Sequence, residues 1–236
     1  MKRVQTFDYN TKTMNINEII KSRHSVRSYN DRKIDSEIKQ QLEECITQCN
    51  AESRLHIQLV TDEPDTFGKS KMAHYGKFHN VRNYVCLVGK KADDTDTLLG
   101  YYGEIIVLKA QELGLNTCWV GLSFSKGKAK CKIAEGENLE AVIAIGYGET
   151  QGITHKMKTP QQICKEIDST PAWFQKGVEY ALLAPTAINQ QKFHFDYLPA
   201  NKVAARTNWG FFAKMDLGIA KLHFELGAGK ENFEWV

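Results

Sequence analysis

The 236-residue sequence lacks an excess of either charge: 31 Lys+Arg stand against 28 Asp+Glu, a net of +3. No broad nucleic-acid-binding field is therefore implied. Its longest basic stretch, Lys126 to Lys132, has no aromatic residue on which a base could stack, and reads as a solvated helix face. No apolar run reaches membrane-spanning length. The opening MKRVQTFDYN has two basic residues but no apolar segment behind them, so it does not read as a secretory signal. The 6 cysteines form no CxxC or Cys/His ligand spacing, and only Cys45 and Cys49 lie within a helical turn of each other. No metal centre or disulfide framework is expected, and free thiols in a cytoplasmic chain are. The 42% of hydrophobic residues are enough for one or two domain cores.

Asn15 to Arg23 and Ser36 to Cys49 place apolar residues at three and four spacing and predict amphipathic helices, joined by a polar loop. Strands are expected at Leu55 to Val60, Tyr84 to Val88, Thr117 to Val120 and Ala141 to Ile145, with a long helix over Thr97 to Leu113 closed by Gly114. The loop Thr61 to Arg82 exceeds a structural connection, and Lys77 or Phe78 in it are candidates for setting substrate choice. Hairpin turn signals are missing. GYGETQG follows a strand without a helix pattern behind it, so it is not read as a dinucleotide fingerprint. The predicted class is α+β. Trp173, Trp209 and Trp235 are expected in the core.

Parts of the chain repeat. Gly103 and Gly114 bracket ten residues, as do Gly218 and Gly229, and each bracket is a helix followed by an aromatic strand. The helix and strand of Ile38 to Val60 also match Phe174 to Leu198 in order and length. The expectation is an intramolecular pseudo-dimer: a first unit, 1–165, and a truncated second unit, 166–236, with Pro160 to Pro171 as junction.

Alternate residues of an extended segment share a side, so Arg23, Ser25 and Arg27 would converge on one target, and guanidinium groups with a hydroxyl suit a phosphate. Lys156 and Lys158, after His155, repeat that spacing. Thr186, Asn189 and Gln191 offer groups that read the polar edge of a planar heterocycle. The corresponding segment of the first copy, Gln48 to Ser53, lacks that pattern, and the second copy lacks RxSxR. One site per chain, built from both halves, is expected.

RHSVRSY, APTAINQQKF and the stretch ending GLNTCWVG together resemble the flavin-dependent nitroreductases, most closely the subgroup in which one chain carries a duplicated fold. The resemblance covers nearly the whole chain. It implies a mixed sheet flanked by helices and an FMN held by Arg23, His24, Ser25 and Arg27 from the first half. The second half would give Pro185, Thr186, Ala187, Asn189 and Gln191. Trp119, Val120 and Gly121 would lie against the isoalloxazine, Lys156 and Lys158 would complete the phosphate site, and Arg27 would stand beside the flavin N1/O2 edge. The sequence departs from the family with Lys192-Phe193 after the Gln and with Thr186 in place of Ser.

The implied function is an NAD(P)H-dependent oxidoreductase passing electrons through FMN to a small planar acceptor such as a nitroaromatic or quinone, the flavin itself carrying the chemistry. A non-catalytic or regulatory flavin-binding protein on the same fold is the alternative. No membrane or nucleic-acid partner is expected, and the chain would be a monomer or a homodimer.

Overall fold

The computed structural model describes residues 15–67 and 78–236. The opening decapeptide and Lys77 lie outside the described residues. The chain divides into two compact units: unit 1 takes Met1–Lys90 with Ile106–Gly152, and unit 2 takes Lys91–Ile105 with Ile153–Val236.

In unit 1, α1 (Ile16–Ser22) starts where Asn15 caps it: the Asn15 side chain accepts from the Asn17 N–H, and Glu18 accepts from the Asn15 N–H. Helix α2 (Ser36–Ser53) buries Leu42, Cys45, Ile46 and Cys49 and ends at Arg54 in the left-handed region. It runs past the expected end at Cys49 because no breaker precedes Arg54. The segment Gln48 to Ser53, set against the second copy's polar loop, is thus the end of this helix. Strand β1 is Gln58–Val60, β2 Tyr84–Lys90, β3 Asn116–Val120 and β4 Glu137–Gly146, in the order β1-β2-β4-β3, antiparallel throughout. Strand β2 is buried at every residue but Lys90, hence its unbroken apolar run. Lys126–Lys128 form a single 3-10 turn, not a helix, although the lysines are exposed. The residues beyond are pinned flat, Lys130 N–H donating to the Tyr84 hydroxyl (3.0 Å) and Lys132 N–H to Gln58 (2.8 Å).

The segment after α1 runs along the edge of β3. Ser25 bridges Thr117, and the Val26 N–H donates to the Thr117 carbonyl (3.0 Å). The glycine-rich run after β4 closes over it: at Gly152 (φ +71°), a Cβ would fall 2.7 Å from His24 Cβ. No helix follows that run before Pro160, which agrees with its not being a dinucleotide fingerprint.

Helix α3 (Thr95–Glu112) gives its first part to unit 2 and the rest to unit 1, and Gly114 (φ 77°) closes it as expected. Unit 2 adds α4 (Pro160–Ile163), α5 (Ala172–Ala181), β5 (Phe193–Leu198), β6 (Lys202–Thr207), α6 (Ala213–Ala228) and β7 (Glu234–Trp235). Strands β5 and β6 form a hairpin that no turn signal announced. Its loop, Pro199 to Asn201, puts Ala200 (φ 62°) and Asn201 (φ 54°) in the left-handed region without a glycine. Strand β7 pairs in parallel with β6. The core is aromatic: Phe195 stacks on Phe224 at 4.6 Å, and Trp173 on Phe233 at 5.7 Å. Trp173 and Trp235 join this cluster, but Trp209 does not. It is 86% exposed on the loop between β6 and α6, where its ring lies 6.1 Å from that of Phe211, because the strand periodicity that would bury it ends at Thr207.

Helices α3 and α6 meet through glycine. A Cβ on Gly100 would fall 1.9 Å from the Met215 carbonyl oxygen, and one on Gly218 2.0 Å from that of Thr97. Beside this crossing, His223 and Glu104 bond at 2.9 Å, both without solvent exposure. The class is α+β, with antiparallel and mixed sheets flanked by helices, as expected. Among the described residues no helix is long and apolar enough to cross a membrane.

Candidate functional site

In unit 1, Arg23, Ser25 and Arg27 lie on the segment that runs along β3, where Ser25 bridges Thr117, and all three act on the thiol of Cys118. The thiol is pushed up by burial, while the Arg27 charge, a hydrogen bond from Ser25 and the Arg23 charge oppose that rise. Val26, between Ser25 and Arg27, faces the core beside Tyr29. Arg23 is buried and Arg27 is exposed, and among the described residues no carboxylate pairs with the Arg27 guanidinium. His24 is held below the usual histidine range by burial and the Arg23 charge, so it adds little positive charge. The exposed Arg27 guanidinium, with a hydroxyl and a second guanidinium on the same segment, is the donor set that suits a phosphate dianion. Trp119 is half-buried in β3, Val120 faces the core, and Gly121 follows the strand end.

Unit 2 gathers the other set. Gln191, 2% exposed, uses its amide within the loop: its Nε2 donates to the Lys156 carbonyl and to Asn189 Oδ1 (2.8 Å each), and its Oε1 accepts from the Lys158 N–H (2.9 Å). Asn189 donates to the Lys156 carbonyl (2.8 Å), and the Lys158 ammonium to the Gln191 carbonyl (2.6 Å). Thr186 accepts the Gln191 N–H (3.1 Å). Pro185 is buried, and Ala187 opens a short turn. The backbone here is unusual: Ile188 (φ 47°), Asn189 (φ 56°) and Gln191 (φ 43°) are all left-handed and none is glycine. Each such residue costs on the order of 1 kcal/mol or more, and such strain concentrates at functional sites.

The structure thus assembles two sets, one in each unit, from the residues the sequence singled out. The family model described as "Putative TM nitroreductase" matches residues 15–228.

The chain belongs to this nitroreductase family.

A putative nitroreductase from Thermotoga maritima is similar at 24% identity, with a TM-score of 0.67 over 96% of this chain and 89% of that one. A putative nitroreductase in complex with FMN from Desulfovibrio desulfuricans is similar at 14% identity, with a TM-score of 0.50 over 68% of this chain and 100% of that one. A putative NADH dehydrogenase/NAD(P)H nitroreductase from Parabacteroides distasonis, at 20% identity and a TM-score of 0.50, covers 64% of this chain and 97% of its own. None of the curated proteins matches.

Sequence reasoning missed three residues of this nitroreductase. Cys118 gave no signal, since a single strand cysteine reads as core. Gln190 and Asp216 hold the unit 2 loop from its other side: Asp216 accepts the Ala187 N–H (3.0 Å) and the Gln190 side chain (2.7 Å). An Asp among the apolar residues of Ala213 to Leu222 was the available signal, because a buried carboxylate needs a partner.

Proposed function

We propose that this nitroreductase is an FMN-dependent oxidoreductase that takes electrons from NAD(P)H and passes them to a small planar acceptor such as a nitroaromatic or quinone. The observation that carries the reading is the gathering of Arg23, Ser25 and Arg27 at the edge of β3, two guanidinium groups and a hydroxyl with no carboxylate partner for the exposed one among the described residues. The set fits the FMN phosphate, and Lys156 and Lys158 are proposed to serve the same phosphate. The loop Pro185 to Gln191 and the segment Trp119 to Gly121 are proposed to hold the ring, with Arg27 beside its N1/O2 edge. When bound, FMN supplies the hydride and electron transfer itself. The protein's part is to hold the phosphate, fix the loop and place a positive charge where negative charge gathers on reduction.

The committed amides of Gln191 and Asn189 assign them to shaping the loop, which leaves backbone groups and Thr186 to meet the ring. The FMN complex and NAD(P)H nitroreductase among the similar structures support cofactor and donor.

Internal duplication is proposed with it. Aligning Gly103 with Gly218 also aligns Gly100 with Met215, and these two touch at the α3–α6 crossing, as residues on a two-fold axis would. Strands β2 and β3 are each antiparallel to β4, so they run parallel to one another, as β6 and β7 do. A unit 166–236 lacking the counterpart of β4 accounts for that pairing. A chain with both halves needs no second copy to hold FMN.

The experiment is an anaerobic absorbance titration of the FMN-loaded protein with NADH and NADPH. Bleaching of the flavin band supports the reading. Bound FMN that neither donor bleaches would make this a flavin-binding or regulatory protein, and protein that takes up no FMN would remove the proposal.

A further inference from the structure

The loop Thr186 to Gln191 cannot keep three left-handed residues by its own sequence, since none is glycine and isolated L-residues avoid that region. One side is tied to Lys156 and Lys158 through Gln191. The other side hangs on a carboxylate. Asp216, 4% exposed in the first turn of α6, receives the Ala187 N–H on Oδ1 at 3.0 Å and the Gln190 Nε2 on Oδ2 at 2.7 Å. The second hydrogen of that same Nε2 goes to the Phe211 carbonyl at 2.8 Å.

We infer that Asp216 is a positioning residue for the cofactor loop: as an anion it accepts two donors at once and so holds Ala187 to Gln191 in the course in which the loop meets FMN. The inference rests on the FMN reading above. Its chemistry follows from the donor count. Both loop partners are donors, so a protonated carboxyl would bring a hydroxyl against one of them. Turning the Gln190 amide to accept that proton would abandon the Phe211 carbonyl.

Among the described residues no opposite charge keeps the carboxylate ionised. Of the neighbouring cations along the chain, Lys214 donates to the Asp93 carbonyl and Lys192 to that of Trp209, and only burial and the two loop hydrogen bonds act on Asp216. Burial prevails and pushes its pKa up to about 6. Acidification below that value releases the latch.

The test measures FMN dissociation constants, by flavin fluorescence quenching, for wild type and Asp216→Asn at about pH 8 and about pH 5. In parallel, hydrogen–deuterium exchange of the Ala187 amide is followed in the FMN-free proteins. At about pH 8 the variant is expected to bind FMN about tenfold more weakly, the size of a lost charge-assisted bond, with a faster-exchanging Ala187 amide. At about pH 5 the ratio of the two constants should approach unity. The FMN phosphate titrates in the same window, but in both proteins, so the ratio isolates Asp216. If Asp216→Asn does not fold, Gln190→Ala removes one bond from the loop side and should weaken FMN several-fold. Equal affinities and equal exchange at about pH 8 would overturn the inference. If neither protein binds FMN, the FMN reading fails and the Ala187 exchange alone judges the latch: faster in the variant upholds it, equal refutes it.

Discussion

In unit 1, β4 stands between β2 and β3 and completes a four-stranded sheet with a core of Val26, Val88, Val120, Leu139 and Val142 beside Tyr29, Tyr84 and Phe124. In unit 2, β6 meets β7 directly, and β7 is two residues long. Two residues cannot hold a strand by ladder bonds alone. What holds β7 is Trp235, whose indole N–H donates to Glu225 (2.6 Å) and whose ring lies against Phe224, Phe233 and the Lys221 ammonium. The lesson is that the unit with the three-stranded sheet fills its interior mainly with rings, where the unit with the four-stranded sheet relies more on branched aliphatics. Two of the buried carboxylates, Glu63 and Asp216, differ in the same spirit. Glu63 in unit 1 is pushed up by burial, but hydrogen bonds from Thr66, the Asp65 N–H and Tyr84 outweigh this and hold it below its ordinary value. Asp216 in unit 2 has only two donors, and burial wins.

The largest expected effect breaks the aromatic core. Phe224→Ala should cost about 3–5 kcal/mol and abolish the near-ultraviolet circular dichroism of unit 2's rings. Leu87→Ala, buried on β2, should cost about 2–5 kcal/mol while keeping most of that aromatic signal. Equal loss of the signal in both would erase the distinction between the cores. Next, Arg27→Ala should weaken FMN by about 1.5–3 kcal/mol, tenfold or more, with little change in melting temperature because the side chain is exposed. Unchanged affinity would move the phosphate elsewhere.

The carboxylates predict opposite responses to pH, read from melting temperatures. Glu63 has a folded pKa below its ordinary 4.5, so its stabilisation is present above that value and is lost as pH falls through the folded one. Asp216 has a raised pKa, so acidification from neutrality through about 6 adds stability even as it frees the loop. Glu63→Gln should flatten the acid limb and Asp216→Asn the rise near 6. The smallest effect is at the surface of unit 2, where Arg206 and Asp196 pair at 2.9 Å in the open. Arg206→Ala should change stability by about 0–1 kcal/mol in a denaturant titration.

Regular periodicity carried the fold. Helix α3 was legible because apolar spacing and Gly114 agree, and β2 because an unbroken apolar run suits a strand buried on both faces. The β5–β6 hairpin was not, since Ala200 and Asn201 take a left-handed turn without the glycine that usually marks one. Trp209 and the Lys126 to Lys132 stretch misled for one reason: residue type suggests burial or exposure, but only tertiary context decides which element carries them. Of the candidate site, the phosphate-type set was legible because alternation in an extended segment is local. The support of the second set was not, because Gln191, Gln190 and Asp216 act through bonds that cross many residues of sequence.

The central claim is one FMN per chain, held by this chain's own residues. Its most direct measurement is the amount of FMN released on denaturing the saturated, desalted protein, set against chain concentration. One FMN per chain is expected, whether the protein runs as a monomer or a dimer. A chain that retains none, or one that retains half an equivalent because a second copy must complete the site, would contradict it.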